Sequence, residues 1–461
     1  MSWATQPPFP AIGSTWPSAT NAEGLVSDLT GAPLTASYSR YAALELRSND
    51  SWNNGNTVSG TPVTTYYKFE FDTAFDSAQA ILISKVFSGT PGTYKAALAV
   101  TDEPRINTQL NAYLPQQGGV LYNVIGGKGW QPVTFGGAAT KTIGLTTPAD
   151  SGLPNNSAIS LASDILQLVS IARNDGKTGG LLLMKITCLN GAWTQEAGSN
   201  SVWDSSAGQP FYRVRSLNSL NGDAIATPSI VPADPYSSGY GMMGGAQVHT
   251  TTRAELNLNC GDSRNVDAFE SFEFGSKNVQ SWMPLSTPAR PLSIYNCAGS
   301  GHGQSSFTQV ALDRIVNGGL RPTVIFYPGF SQNGFSNAAN YKAIMNNFMS
   351  TVLAVPGMSN VIFVLGTDYY VNGYAGTQAE VERQSCITYA KSLANGSTIL
   401  VFDSDAIMTD YSNPNAPTNV AAYMVGGDAI HAGPAGISAM VNGLPGKPGL
   451  QSVYKKVLGI A

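Results

Sequence analysis

Apolar residues recur with two different periods along the chain, and in the first half they alternate with polar residues. In residues 62–71, β-branched and aromatic side chains alternate with polar ones, which is typical of a half-buried strand. Residues 157–173 are an exception, because their apolar spacing fits a helix. The first 225 residues are therefore predicted to form a β-sandwich or jelly roll with a helical insertion. Further strands are predicted at 80–86, 94–100, 180–188 and 211–217.

The second half alternates short apolar runs with amphipathic stretches. Strands are predicted at 254–260, 291–297, 322–327, 361–365 and 398–402, and helices at 306–317, 337–355 and 377–393. Because strands that alternate with helices usually pair in parallel, this half is predicted to be an α/β domain with helices on both faces of its sheet. Ligands of such sheets bind beyond the carboxyl ends of the strands.

The two halves meet in a segment that is rich in Pro, Gly and Ser. Few helices or central strands tolerate such a composition. The sequence therefore predicts a β-rich accessory domain over residues 1–225, a linker over 226–245 and a second domain over 246–461.

Charge and composition exclude several classes of protein. Only 12% of the 461 residues are charged and 49 are glycine, which suits β-structure with many tight turns. The net charge of −4 and the lack of a basic run argue against nucleic acid as a partner. No apolar run is long enough to span a membrane, and the N-terminus does not resemble a signal peptide. We expect an extracellular or virion-associated protein, and the sequence leaves its oligomeric state open.

Cysteine spacing and the known cofactor motifs give no sign of a metal or a cofactor. The four cysteines are widely spaced and form no C-x-x-C pair, so buried structural thiols are favoured over a disulfide. The sequence contains no H-E-x-x-H motif of zinc proteases, no phosphate-binding loop and no G-x-G-x-x-G between a predicted strand and a predicted helix. No metal and no cofactor is therefore expected. The cysteines are Cys188, Cys260, Cys297 and Cys386.

Ser263 is the first candidate for catalysis, because it follows a predicted strand in the sequence Gly261-Asp262-Ser263. Gly261 permits a sharp turn that would expose the serine hydroxyl at the edge of the sheet, where its own N–H could help to hold an oxyanion. Gly-Asp-Ser is also a common turn sequence. Asp262 is interpreted as a cap on the following turn rather than as a second acid.

The segment around His431 strengthens the interpretation of Ser263. Asp428 stands three residues before His431, so its carboxylate could bond Nδ1–H of the imidazole and leave Nε2 to take the serine proton. The alternative is that Asp428 caps a helix that begins near Ala435 and His431 is merely exposed. The histidine His249 is not expected to have a chemical role.

With these two segments, residues 245–461 resemble the SGNH or GDSL-type hydrolases. Gly261-Asp262-Ser263 is similar to the nucleophile block of that family, and the segment from Asp428 to His431 to its D-x-x-H block. The resemblance implies a flavodoxin-like three-layer α/β/α domain and a metal-independent serine hydrolase of esters. It implies Ser263 as nucleophile, His431 as general base and acid, and Asp428 as the residue that orients His431.

The resemblance also implies two further oxyanion donors beside the N–H of Ser263. The segment 296–301 is similar to the glycine block and favours Gly301 as the backbone donor, with Gly299 as the alternative. The segment 325–334 takes the place of the asparagine block but departs from its usual G-x-N-D sequence. Asn333 is the predicted side-chain donor, and Gln332 and Ser331 stay possible. His302, next to Gly301, could line the site but is more often a loop residue.

The predicted function is hydrolysis of an ester through an acyl-enzyme. Low charge and an aromatic-rich first half favour an O-acetylated or other short-acyl carbohydrate, with simple acyl esters as an alternative substrate. The competing hypothesis is a non-catalytic glycan-binding protein or virion tail adhesin that uses the hydrolase fold as a scaffold. Tryptophans in polar loops could bind sugar rings or pack in the core. In the first half these are Trp3, Trp16, Trp52, Trp130, Trp193 and Trp203.

Overall fold

A computed structural model describes most of the second half of the chain and the strands of the first half. It describes residues 41–46, 56–58, 60–85, 91–103, 129–143, 158–193, 214–216, 220–226, 242, 244–265, 277–299, 301–413, 416–425 and 430–460. The fold is mixed α/β and contains several sheets, as predicted.

The described strands before residue 251 belong to two antiparallel sheets. They are β1 (Tyr41–Leu46), β2 (Asn56–Val58), β3 (Val63–Phe71), β4 (Phe75–Lys85), β5 (Gly92–Thr101), β6 (Gln131–Pro132), β7 (Lys141–Ile143), β8 (Ala158–Ala162), β9 (Leu166–Gln167), β10 (Gly180–Trp193), β11 (Val214–Ser216), β12 (Leu220–Asn221) and β13 (Gly244–Thr250). The first sheet has the order β1-β13-β4-β8, with β9 also on β4. The second has the order β11-β3-β10-β5-β6, with β12 on β3, β2 on β10 and β7 on β5.

The two antiparallel sheets bury one hydrophobic cluster between them. Alternate residues of β4, such as Ala80 and Leu82, contribute from the first sheet, and Phe69 and Met184 contribute from the second. This two-residue period is the one that the sequence pattern predicts for strands 62–71 and 180–188. The first half is therefore held together by a core of its own.

The second half contains a parallel sheet, two short hairpins, seven α-helices and the 3-10 helices Met283–Leu285 and Ala421–Tyr423 among its described residues. The parallel strands are β14 (Glu255–Asn259), β15 (Leu292–Asn296), β16 (Val324–Pro328), β17 (Ile362–Thr367) and β18 (Ile399–Asp403). The hairpins are β19 (Thr409–Asp410) with β20 (Thr418–Asn419) and β21 (Gly443–Leu444) with β22 (Lys447–Pro448). The helices are α1 (Lys277–Trp282), α2 (Gln304–Val316), α3 (Ala338–Ala354), α4 (Gln378–Leu393), α5 (Ser404–Met408), α6 (Pro434–Asn442) and α7 (Leu450–Leu458).

The parallel sheet has the order β15-β14-β16-β17-β18, so β14 lies between the second and third of its strands. The direction of winding reverses at β14, and ligands of open α/β sheets bind at such a switch point. The loops after β14, β15 and β16 carry the predicted nucleophile and both predicted donor segments. The sheet order therefore places all three at one edge.

Each face of the parallel sheet buries a separate hydrophobic cluster against helices. Leu258 and Ile325 point toward α2 and α3, and Phe326 and Val364 lie in the cluster that contains Trp282 of α1 and Tyr454 of α7. All five predicted strands and all three predicted helices of this half are found, with ends shifted by a few residues. Apolar strands buried on both faces explain why their sequences are nearly continuous apolar runs.

The first sheet packs its other face on the second half. Ile81 and Ile83 join the cluster that contains Phe307 and Ile315 of α2. Beside them the fully buried carboxylate of Asp313 accepts hydrogen bonds from Ser160 N at 2.7 Å and Ser160 Oγ at 2.6 Å. Burial raises the pKa of Asp313, and the neighbouring Arg314 opposes this effect. The two halves thus share a core as well as buried polar contacts.

Two features of the first half differ from the sequence-based expectation. Of the segment 157–173, which the sequence predicts to be a helix, the described residues 158–173 instead contain the short strands β8 and β9 on β4, because N–H groups there bond partners distant in sequence, as in Ser163 N to Ala80 O. Strand β13 crosses the predicted boundary at residue 246 and pairs with β1 and β4 of the first sheet. The division into domains stays a prediction, but residues 244–250 belong by pairing with the first half.

All four cysteines are buried free thiols, which confirms the interpretation favoured from the sequence. Among the described residues, no helix combines the length and apolar character that crossing a membrane requires.

Candidate active site

Ser263 lies in a tight turn that begins where β14 ends. Gly261 has a φ of +142°, and a Cβ added there would lie 2.4 Å from Nδ2 of Asn265. A side chain at position 261 would therefore meet both backbone strain and a clash. The turn is bonded to the neighbouring loop, since Gly261 O accepts a hydrogen bond from Gly299 N at 2.9 Å.

The buried side chain of Asp262 stabilises the same turn by hydrogen bonds. Its Oδ1 accepts a hydrogen bond from Arg264 N at 3.0 Å, and its Oδ2 accepts one from Ser331 Oγ at 2.7 Å. Asp262 is 1% exposed, so its carboxylate is out of reach of solvent and substrate. These contacts agree with a capping role and also tie the turn to the loop after β16.

His431 meets Ser263 across the carboxyl edge of the parallel sheet. Its Nε2 lies 3.0 Å from Ser263 Oγ, although the two residues are 168 positions apart. The backbone of His431 is held beside residues 424 and 425, because Val425 N donates to His431 O at 3.0 Å and Met424 pairs with Ala432. Asp428 lies outside the described residues.

The loop after β15 brings a glycine-rich turn to the same edge. Gly299 N is engaged by Gly261 O, and Gly299 O accepts from His302 N at 3.1 Å. The buried His302 ring lies so close to Gly299 that an added Cβ would be 2.4 Å from ring Nδ1. Gly301, with a φ of +72°, is exposed and has open space around it. His302 therefore packs beneath the loop, while Gly301 faces outward.

The loop after β16 contains the three alternatives for the side-chain donor. Ser331 is fully buried and its hydroxyl is bound to Asp262. Gln332 and Asn333 are both partly exposed, and Asn333 Nδ2 makes a long contact of 3.4 Å with His302 O. The backbone of Asn333 also approaches Gly303, where an added Cβ would lie 2.5 Å from Asn333 O. The glycine loop and the Asn333 loop thus pack directly against each other.

Arg264, Asp368 and Tyr369 form a buried group next to Ser263 that the sequence did not indicate. Arg264 follows Ser263, and its guanidinium pairs with Asp368 Oδ2 at 2.9 Å and donates from Nη1 to Tyr369 O at 3.0 Å. Burial alone would lower the pKa of Arg264, but Asp368, Tyr369 and Asp262 together outweigh this effect and the pKa is raised. The only sequence signal for this group was the position of Arg264 next to the candidate nucleophile.

Trp130 is the one tryptophan of the first half whose side chain the structure describes. Its ring makes an edge contact with Tyr66 at 6.1 Å, and Lys185 Nζ lies 4.2 Å from its centroid. Trp130 is thus partly buried against the second sheet. The other five tryptophans, or their side chains, lie outside the described residues.

Comparisons with known proteins give structural likenesses only. No model of a known protein family matches the sequence, and no curated protein matches it. A carbohydrate esterase family 2 enzyme with a carbohydrate-binding domain from Corynascus is 12% identical, with 91% of this chain and 100% of that chain covered and a TM-score of 0.33. A family two carbohydrate esterase from Cellvibrio japonicus is 11% identical, with coverage of 91% and 98% and a TM-score of 0.29. A lipase/acylhydrolase from Enterococcus faecalis is 13% identical, with coverage of 45% and 97% and a TM-score of 0.32.

Proposed function

We propose that the chain is a serine ester hydrolase that acts through an acyl-enzyme on Ser263. The observation that carries this proposal is the 3.0 Å separation of Ser263 Oγ and His431 Nε2 at the switch point of a parallel sheet. The strand order β15-β14-β16-β17-β18 supports the further proposal of a flavodoxin-like α/β/α domain, and the cluster shared by the two antiparallel sheets supports a β-sandwich.

In this reaction His431 Nε2 takes the proton of Ser263 as Oγ attacks the ester carbonyl carbon. The tetrahedral intermediate collapses when His431 returns that proton to the leaving alcohol oxygen, which leaves the acyl group on Oγ. Water then attacks the acyl-enzyme by the same route and releases the acid. For Nε2 to accept a proton, Nδ1 must carry the other one. We assign Asp428 to accept a hydrogen bond from this Nδ1–H, because Asp428 stands three residues before His431 in the sequence.

For the oxyanion we propose the N–H groups of Ser263 and Gly301 together with the side chain of Asn333. Gly299 is disfavoured as a donor, because its N–H is already bonded to Gly261 O. Ser331 is disfavoured because it is buried and its hydroxyl is bonded to Asp262. The exposed loop position of Gly301 and the partial exposure of Asn333 leave both able to meet a substrate.

We propose a short-acyl carbohydrate ester as substrate, which keeps the expectation raised by the low charge and the aromatic residues of the first half. A test of glycan binding must include strand β13, because this strand lies between β1 and β4 in the first sheet. A fragment that ends near residue 240 would lack this central strand of the first sheet. Binding of acetylated xylan should therefore be measured on the whole chain.

Covalent labelling tests the proposed nucleophile directly. A fluorophosphonate should form a P–O bond to Ser263 Oγ and release fluoride. Digestion with trypsin gives the peptide from Ala254 to Arg264, whose one serine is Ser263, so mass spectrometry can locate the adduct. We expect the adduct on this peptide in the native protein and its absence in Ser263→Ala.

Two outcomes would count against the enzyme. An adduct only on other peptides would exclude Ser263 as the activated serine. No adduct, together with retained binding of acetylated xylan by both proteins, would favour the glycan-binding scaffold instead.

Replacing Asn333 with alanine should lower kcat by about 10²–10³-fold with little change in KM, because an oxyanion donor acts mainly in the transition state. The measurement is steady-state hydrolysis of p-nitrophenyl acetate. Gln332→Ala is the matched control, since Gln332 is the adjacent amide and is also partly exposed. If Gln332→Ala shows the larger loss, the donor assignment moves to Gln332.

A further inference from the structure

Tyr369 lies between the segments that carry Ser263 and His431. It follows β17 by two residues and is 1% exposed. Its hydroxyl donates a hydrogen bond to Ile430 O at 2.9 Å, one residue before His431. Burial raises the pKa of Tyr369, and Arg264 and a hydrogen bond from the backbone of Ala432 act against that rise. The hydroxyl thus contacts the backbone on both sides of His431.

The same tyrosine also holds the residue after Ser263. The guanidinium carbon of Arg264 lies 4.2 Å from the centroid of the Tyr369 ring, and Nη1 donates to Tyr369 O at 3.0 Å. Asp368, the preceding residue, completes the contact with an ion pair to Nη1 at 2.9 Å. A guanidinium that stacks on a ring and is also bonded through Nη1 has less freedom than an exposed one.

We infer that Tyr369 is a positioning residue that sets the separation of Ser263 Oγ and His431 Nε2. One side chain fixes the backbone at residues 430 and 432 and, through Arg264, the backbone at residue 264. This inference rests on the proposed role of Ser263 and His431. Tyr369 itself is buried and takes no proton in the reaction.

A small displacement of either group would slow the reaction strongly. A misplacement of about 1 Å can cost 10²-fold in rate, since proton transfer and attack both need close alignment. Tyr369→Phe keeps the ring under Arg264 but removes the hydroxyl that bonds Ile430. It therefore loosens the His431 side of the contact while the Ser263 side keeps its stacking partner.

The test is the kinetics of Tyr369→Phe on p-nitrophenyl acetate, together with its maximal rate of inactivation by the fluorophosphonate. We expect kcat and the inactivation rate to fall together by about 10–100-fold, with KM within about twofold of the native value. Arg264→Lys should give a similar pattern from the other side, because lysine keeps the charge near Asp368 but cannot stack as a planar group.

Tyr67→Phe is the matched control for loss of a buried hydroxyl. Tyr67 is 2% exposed and donates to Met242 O at 2.5 Å in the first half, away from Ser263. It should lower the melting temperature about as much as Tyr369→Phe while leaving kcat unchanged. The inference is overturned if Tyr369→Phe keeps its kcat within twofold, or if Tyr67→Phe loses as much kcat. If the native protein and Ser263→Ala hydrolyse equally, the proposed function fails instead.

Discussion

Replacing Ser263 with alanine should lower kcat for p-nitrophenyl acetate and for an acetylated polysaccharide by about 10³-fold or more. Alanine removes the oxygen that attacks the carbonyl and leaves the oxyanion donors and the turn in place. Because the hydroxyl of Ser263 contacts His431 and the residue lies at a partly exposed turn, the loss of this hydroxyl should change the free energy of unfolding little. Initial rates and acetate release measure the effect.

The control for Ser263→Ala is an exposed serine elsewhere in the same half. Ser350 lies in α3, and its hydroxyl bonds only locally, to Asn347 O at 3.0 Å. Ser350→Ala should keep native kcat and native stability. Equal rates for the native protein and Ser263→Ala would contradict the proposed enzyme.

Much of the second half could be predicted from the sequence because its elements depend on local pattern. A parallel strand buried on both faces is a short apolar run, and α3 repeats its apolar residues with the period of a helix. The turn at Ser263 follows from Gly261, which has the positive φ that glycine adopts most readily. Local sequence patterns were therefore enough to predict that Ser263 lies at the edge of the sheet.

Local rules failed where distant partners decide the conformation. The apolar spacing of residues 157–173 fits a helix, but the strand form lets Ser160 donate to Asp313 and lets β8 pair with β4. Likewise β13 follows a Pro- and Gly-rich segment, yet it fills the gap between β1 and β4. Neither partner is near in sequence, so no local pattern could indicate it.

The contact between Arg264 and Tyr369 could not be predicted from local sequence patterns either. Arg264 and Tyr369 are common residue types in unremarkable segments, and their contact depends on β14 and β17 lying in one sheet. Ser263 and His431 could be proposed from the sequence because each stands in a recognisable short motif. Residues that hold such motifs in place carry no motif of their own, and only the three-dimensional contacts reveal them.

Replacing His431 with alanine should also lower kcat by about 10³-fold or more, and the double variant with Ser263→Ala should be no slower than either single variant. Groups that act as one unit are strongly non-additive, because a serine without its base and a base without its serine are equally ineffective. Initial rates of the native protein, both single variants and the double variant give the coupling directly.

His249→Ala is the matched control for His431→Ala. His249 Nδ1 lies 3.0 Å from Asp76 Oδ1, so it is a histidine with a carboxylate neighbour but in the first sheet. Its replacement should leave kcat unchanged. If the losses of Ser263→Ala and His431→Ala multiply in the double variant, the two residues act independently, and the 3.0 Å contact between them is not the catalytic pair.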